Sequence, residues 1–349
     1  MALIDSIRQV VEPEFRLYEQ EFQATLQTDN ALLNAVIAHL TSQRGKQLRP
    51  LLTLLSAKLC SNVNDKTITA AVALELIHTA SLIHDDVVDH SDTRRGRESV
   101  NSKWNNKVAV LAGDFLLSKA LYLIANLRNL NIMNVILSMA QQLASGELRE
   151  LHYGESMWIT ETQYLDVICE KTAAMFAACA QAGALSAGAS ARRQSALRDF
   201  GCSLGMCFQL KDDELDYSDS DIIGKPTMSD ITDNKVTLPL IIAMQRADKV
   251  DAERVSRLVE LSADSHQPST FNLQPSADTL HPSPFTLHPS VVEQEIKSFV
   301  LRYDGLRYAR QKMEEYRAHA EQTLSSVFHP SLPLQALLDL LSYSVSRMY

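Results

Sequence analysis

Two acidic clusters of the same spacing stand far apart in this chain, Asp85-Asp86-Val87-Val88-Asp89 and Asp212-Asp213-Glu214-Leu215-Asp216. Each lies in an apolar run of helical character. Residues i, i+3 and i+4 of a helix share a face, so Asp85 and Asp89 point one way, as do Asp212 and Asp216. Two unit charges about 4 Å apart repel by roughly 4 kcal/mol at an effective dielectric of about 20. Carboxylates set among Ile, Leu and Val therefore need counter-charge, and hard divalent cations bound through oxygen supply it. A solvated acidic face would carry polar neighbours, whereas AVALELIHTASLIH precedes the first cluster.

Basic residues flank both clusters. Gly45-Lys46-Gln47-Leu48-Arg49-Pro50 lies upstream of the first and Arg94-Arg95-Gly96 just downstream. Lys171-Thr172 and Phe208-Gln209 precede the second; Gly224-Lys225 and Asn234-Lys235 follow it. Any one of these alone reads as a solvated helix face or an ordinary loop, and His78 and His84 alone read as core or rim histidines. Together, carboxylates, divalent ions and several separate Lys and Arg suit a diphosphate: metal bridges some phosphate oxygens to Asp, and the bases take the others.

The elements that must position these groups are helices. No proline occurs from Leu51 to Lys225, and long apolar stretches recur there at helical spacing. The chain of 349 residues, 46% hydrophobic, is read as an all-α, single-domain helical bundle around a central apolar cavity. A net charge of −9 argues against nucleic acid as a partner. The five cysteines show no CxxC spacing and read as buried thiols. The amphipathic N-terminus has no apolar signal core, and no uninterrupted apolar run suggests a transmembrane segment, so a cytoplasmic protein is expected. Residues 265–290 differ: Pro268, Pro275, Pro282 and Pro289 recur every seven residues, which excludes a continuous helix and reads as a disordered insertion in one domain spanning 1–349.

The motifs GKQLRP, ELIHTASLIHDDVVDHSDTRRG, GDFLLSKA, FQLKDDELDY and GKPTMSDITDNKVTLP stand in an order that resembles the trans-isoprenyl diphosphate synthase (polyprenyl synthetase) family. The resemblance covers nearly the whole chain apart from the proline tract. It implies the isoprenoid synthase fold, a homodimer, and about three Mg²⁺ ions held by Asp85, Asp86, Asp89, Asp212, Asp213 and Asp216. Arg94, Lys171, Thr172, Gln209, Lys225 and Lys235 then match residues on the allylic diphosphate, and Lys46, Arg49, His78 and Arg95 match the isopentenyl diphosphate site. Asp85, Asp89, Arg94, Lys171, Asp212 and Lys225 would carry the catalytic ionisation. The implied reaction adds successive isopentenyl diphosphate units to an allylic diphosphate, and a peripheral membrane contact would serve product release.

Ala80 and Ser81, one turn before Asp85, are small where the family closes its pocket with aromatics. A long-chain product is expected, such as a quinone side-chain precursor, with a short-chain (farnesyl or geranylgeranyl) synthase as the alternative. Tyr122 or a nearby Leu could set the floor instead. Three other readings explain less. A metal-dependent phosphohydrolase built on His84-Asp85 leaves the second cluster unused. A terpene cyclase leaves Lys46, Arg49 and Arg95 without a ligand. A non-catalytic subunit would not need both clusters intact.

Overall fold

The computed structural model describes residues 3–42, 45–94, 96–154, 158–218, 235–264 and 289–347. Its regular structure is all-α, as the sequence predicts; among the described residues the strands are limited to the short antiparallel pair β1 (Thr93–Arg94) and β2 (Arg97–Glu98). Helices α1 (Leu3–Gln9), α2 (Glu12–Thr25), α3 (Ala31–Thr41) and α4 (Leu48–Cys60) lead to the long α5 (Asp65–Val88). Then come α6 (Val100–Lys103), α7 (Asn106–Asn126), α8 (Leu130–Gly154) and α9 (Glu161–Ile168), a π-helical turn at Cys169–Ala173, α10 (Ala174–Ser186) and α11 (Ala191–Asp216). The chain continues through α12 (Leu238–Arg246), α13 (Lys249–Asp264), α14 (Pro289–Arg302), α15 (Gly305–Ser325) and α16 (Leu332–Ser346).

These helices form two compact units. The first comprises Met1–Glu147, Asp166–Lys211 and Met313–Arg347; the second comprises Leu148–Leu165, Asp212–Lys312 and Met348–Tyr349. In the first, α5 packs on α7, α4 and α10. Leu51, Leu52, Leu54 and Leu55 of α4 are fully buried against this face. Truncating one such leucine to Ala costs about 2–5 kcal/mol in a close-packed core. A reciprocal cap fixes where α5 begins: the Asn64 side chain accepts from the Thr67 backbone N–H, and Thr67 Oγ1 accepts from the Asn64 N–H. Asn64 Nδ2 also donates to the Ser186 carbonyl at 2.9 Å, tying that start to the end of α10. At the other end His90 turns left-handed (φ 51°) and stops the helix just after Asp89. The acidic cluster is thus the last turn of a buried helix.

The second unit has its own core, in which Tyr217, Leu240, Val255, Ile296, Phe299 and Val300 are buried together. Tyr217 Oη and Thr237 Oγ1 lie 2.9 Å apart in it, so the residue after Asp216 is anchored by its ring and its hydroxyl.

By length and composition alone, α5 and α7 could each cross a membrane. Most of α5 is instead buried within its unit, the fate of a core helix. The apolar window of α7 is only 33% buried. Cys179 and Cys207 are buried, with thiols pushed up to about 12 by burial, as expected of core cysteines; Cys60, Cys169 and Cys202 are half-buried. Most of the proline tract lies outside the described residues, and α14 resumes at Pro289, two residues before the helical pattern restarts in the sequence.

Candidate active site

The first unit gathers one set of expected residues around the end of α5. Asp85 and Asp89 are half-buried on one face, while Asp86, one step round the helix, is 3% exposed. Arg94, on β1, donates from Nε to Asp86 Oδ1 at 2.6 Å. Burial still pushes the Asp86 carboxyl up, against the pull of that guanidinium.

Lys171 and Thr172 sit in the π-helical turn between α9 and α10. An extra residue in one turn re-aims side chains, and such turns recur at functional sites. Lys171 Nζ meets Glu147 Oε2 at 2.8 Å. Thr172 Oγ1 donates to Gln209 Oε1 at 2.9 Å, so the π-helical turn and α11 present both expected residues together. Two glycines allow this closeness. A Cβ on Gly205 would sit 2.5 Å from Ala173 Cα, and one on Gly146 would sit 2.8 Å from the Lys171 nitrogen.

Burial, with Glu147 nearby, raises the Asp85 carboxyl from 3.8 to about 7; Lys171 and Arg94 oppose the rise and Asp89 adds to it. Asp85 and Asp89, on one face with Lys171 and Arg94 in electrostatic reach, are oxygen donors of the kind a hard divalent cation takes.

Lys46 is exposed, its Nζ 5.3 Å from the Tyr343 ring of α16. Arg49 stands 4.9 Å from the ring centre of Phe176. His78 lines a pocket in this unit with Thr79, Leu82, Ile83, Asp86 and Arg94. Ser81 is half-buried and donates to the His78 carbonyl at 2.9 Å. Ala80 is 2% exposed. It shares a face with His84, whose Nε2 lies 3.3 Å from the Val110 carbonyl of α7, so Ala80 faces the α5–α7 seam. Tyr122, the other candidate floor residue, is 69% exposed.

The second cluster forms the last turn of α11, in the second unit. Asp212 and Asp216 are half-buried, whereas Asp213 is 1% exposed and accepts from the hydroxyl of Tyr164 on α9. Glu214 is buried too and accepts from Arg310 of α15 at 2.6 Å. Lys235 is half-buried in the same unit. Lys225 and Arg95 lie outside the described residues. Sequence reasoning missed Glu147, Tyr164 and Arg310. Gly146, an isolated glycine in a helical run, was the one signal pointing toward Glu147, since such a glycine marks close backbone approach.

Among the described residues the body is helical apart from one short hairpin, and two of its helices end in acidic clusters, each with a buried acid held by a donor from a neighbouring element. The polyprenyl synthetase family model matches residues 30–271. The chain is 37% identical over 258 residues to an octaprenyl diphosphate synthase of Haemophilus influenzae, covering 74% of this chain and 78% of that one. It is 39% identical over 235 residues to a short chain isoprenyl diphosphate synthase of Methanothermobacter thermautotrophicus, covering 65% and 71%. A polyprenyl synthase from Caulobacter crescentus, solved with calcium and isoprenyl diphosphate, superposes with a TM-score of 0.85 at 30% identity, over 99% of this chain and 98% of that one. The chain belongs to the polyprenyl synthetase family.

Proposed function

We propose that this protein is a prenyltransferase that extends an allylic diphosphate with successive isopentenyl diphosphate units to a long-chain all-trans product. The observation that carries the reading is the end of α5, where Asp85 and Asp89 share a face beside the Arg94–Asp86 and Lys171–Glu147 pairs, so that acids and bases suited to a metal-bound diphosphate stand together. Mg²⁺, on which the family depends, would neutralise the diphosphate so that it can leave; Asp85 and Asp89 at the end of α5 would be ligands, and the family resemblance adds Asp212 and Asp216.

The residues of this chain do the rest. Lys171, held by Glu147 until substrate arrives, and the Thr172–Gln209 pair offer donors to the leaving diphosphate as charge develops on it. Lys46, Arg49 and Arg95 hold the second diphosphate, and Lys225 and Lys235 complete the first. An apolar surround protects the allylic cation from water. No side chain is assigned as the base; the departing diphosphate takes the proton. The octaprenyl relative and the small Ser81, which shares a face with Asp85, support a long product. The short-chain relative keeps the alternative in view.

The test is incubation with Mg²⁺, an allylic diphosphate and radiolabelled isopentenyl diphosphate, with the dephosphorylated products sized by chromatography. Chains well beyond geranylgeranyl are expected. Release of phosphate without elongation would overturn the reading, and products ending at farnesyl or geranylgeranyl would establish the short-chain alternative.

The domain reading follows the same family: one synthase domain, 1–349, interrupted by the tract at 265–290. We further propose a cytoplasmic homodimer paired through α7. Leu111 and Tyr122 lie eleven residues apart on one face, are 68% and 69% exposed, and are joined by Val110 and Leu121. A helix this apolar needs cover, and a second copy presents a matching face. Leu111→Glu should shift the mass seen by light scattering from dimer to monomer; an unchanged dimer would place the interface elsewhere.

A further inference from the structure

The two clusters share a feature beyond their spacing. In each, the second acid is buried and tied to a donor from a neighbouring element, while the first and last stay half-exposed. Asp86 is 3% exposed and takes Arg94; Asp213 is 1% exposed and takes the Tyr164 hydroxyl. Helix geometry explains the pattern, because a residue one step on is rotated about 100° from the face shared by i and i+4. The acid at that step is turned into the protein, where an ion has no approach, and it must be paired there.

We propose that Tyr164 is a positioning residue for the second cluster: it holds Asp213 as a buried brace, and thereby leaves Asp212 and Asp216 as the carboxylates that meet metal. Tyr164 is itself 5% exposed, so its hydroxyl has little recourse to solvent. The brace is completed from the other side by Arg310 on Glu214, which turns the next acid away as well. Four carboxylates rather than six then face ions in the two clusters. The inference rests on the proposed reading that the second cluster serves a metal-bound diphosphate, but its test is independent of turnover.

Mn²⁺ binding to the substrate-free, full-length enzyme, followed by electron paramagnetic resonance, separates the possibilities. Asp213→Asn keeps an oxygen for the Tyr164 hydroxyl and should hold Mn²⁺ affinity within about twofold of the parent, whereas Asp212→Asn should lose about tenfold or more. Tyr164→Phe removes a hydroxyl donor from the buried Asp213 and should lower affinity about tenfold. Adding Asp213→Asn to Tyr164→Phe replaces that acid and should restore binding. If Asp213→Asn weakened Mn²⁺ as much as Asp212→Asn, Asp213 would be a ligand and the inference would fail. A Tyr164→Phe variant that only melts earlier, with parental Mn²⁺ affinity, would make Tyr164 merely structural. Should Tyr164→Phe not fold, the Asp213→Asn and Asp212→Asn pair still decides. Parental Mn²⁺ behaviour of Asp213→Asn in a protein that makes no polyprenyl product would overturn the proposed function and leave this inference standing.

Discussion

The ends of α5 and α11 carry the same acidic spacing but are supported differently. At α5 the buried second acid is met by a cation, Arg94, and the half-buried first acid is crowded by Glu147. At α11 the Tyr164 hydroxyl donates to the buried second acid, and Arg310 pairs with the next acid, Glu214. The first end thus holds its negative charge close to titration, while the second distributes its acids among fixed partners. The acidic spacing specifies which oxygens face outward; the partners, drawn from other elements, decide how much charge is left for an ion.

The largest effect should come from breaking the outward positions. Asp85→Asn or Asp212→Asn removes an oxygen that compensates charge on the leaving diphosphate, and steady-state kcat should fall about 10²- to 10³-fold, the usual loss for one such electrostatic contact. Asp86→Asn keeps an acceptor for Arg94 and should cost far less. Equal losses at Asp85 and Asp86 would erase the distinction between outward and inward acids.

Much of this was legible in the sequence, and for physical reasons. The proline-free run and helical periodicity gave the all-α body because both follow from local backbone chemistry. The family resemblance implies that Arg94, Lys171, Thr172 and Gln209 serve one diphosphate, but the hydrogen bond between Thr172 and Gln209 is legible only in the structure. The partners of the buried acids are likewise legible only there. Tyr164 and Asp213, or Arg310 and Glu214, meet only because separate helices pack together, and no periodicity encodes such a meeting. The π-helical turn was also invisible, since Cys169–Ala173 is made of residues any helix accepts. Nor did the pattern show where the two compact units divide, because an uninterrupted helical run gives no linker to read.

A smaller effect concerns Ala80 and Ser81, both expected to set product length. Ser81 precedes Asp85 by four residues and shares its face, whereas Ala80, five residues before it, turns toward the α5–α7 seam. Ser81→Phe should therefore shorten the products, while Ala80→Phe should overpack the seam and lower stability by about 1–3 kcal/mol with less change in length. Chromatography of the products beside denaturant melts separates the two. Shortening by Ala80→Phe alone would put Ala80, not Ser81, at the floor.

The smallest effect tests the charge left over at α5. Without metal, the native Asp85 carboxyl titrates at about 7 against an ordinary value of 3.8, so between these values the folded protein holds a proton that the unfolded chain has lost. Stability from this residue is complete below about pH 4 and declines as pH rises through about 7. Asp85→Asn removes the decline. In the presence of a chelator the variant should melt a few degrees above the parent at about pH 8, and the gap should close as pH falls toward 5. Added Mg²⁺ should reverse the order at high pH, because the parent, with one more ligand, gains more binding energy from the ion. A pH-independent gap at Asp85 would mean that repulsion from Glu147 and burial do not set its proton affinity, and the contrast between the two helix ends would then rest on their partners alone.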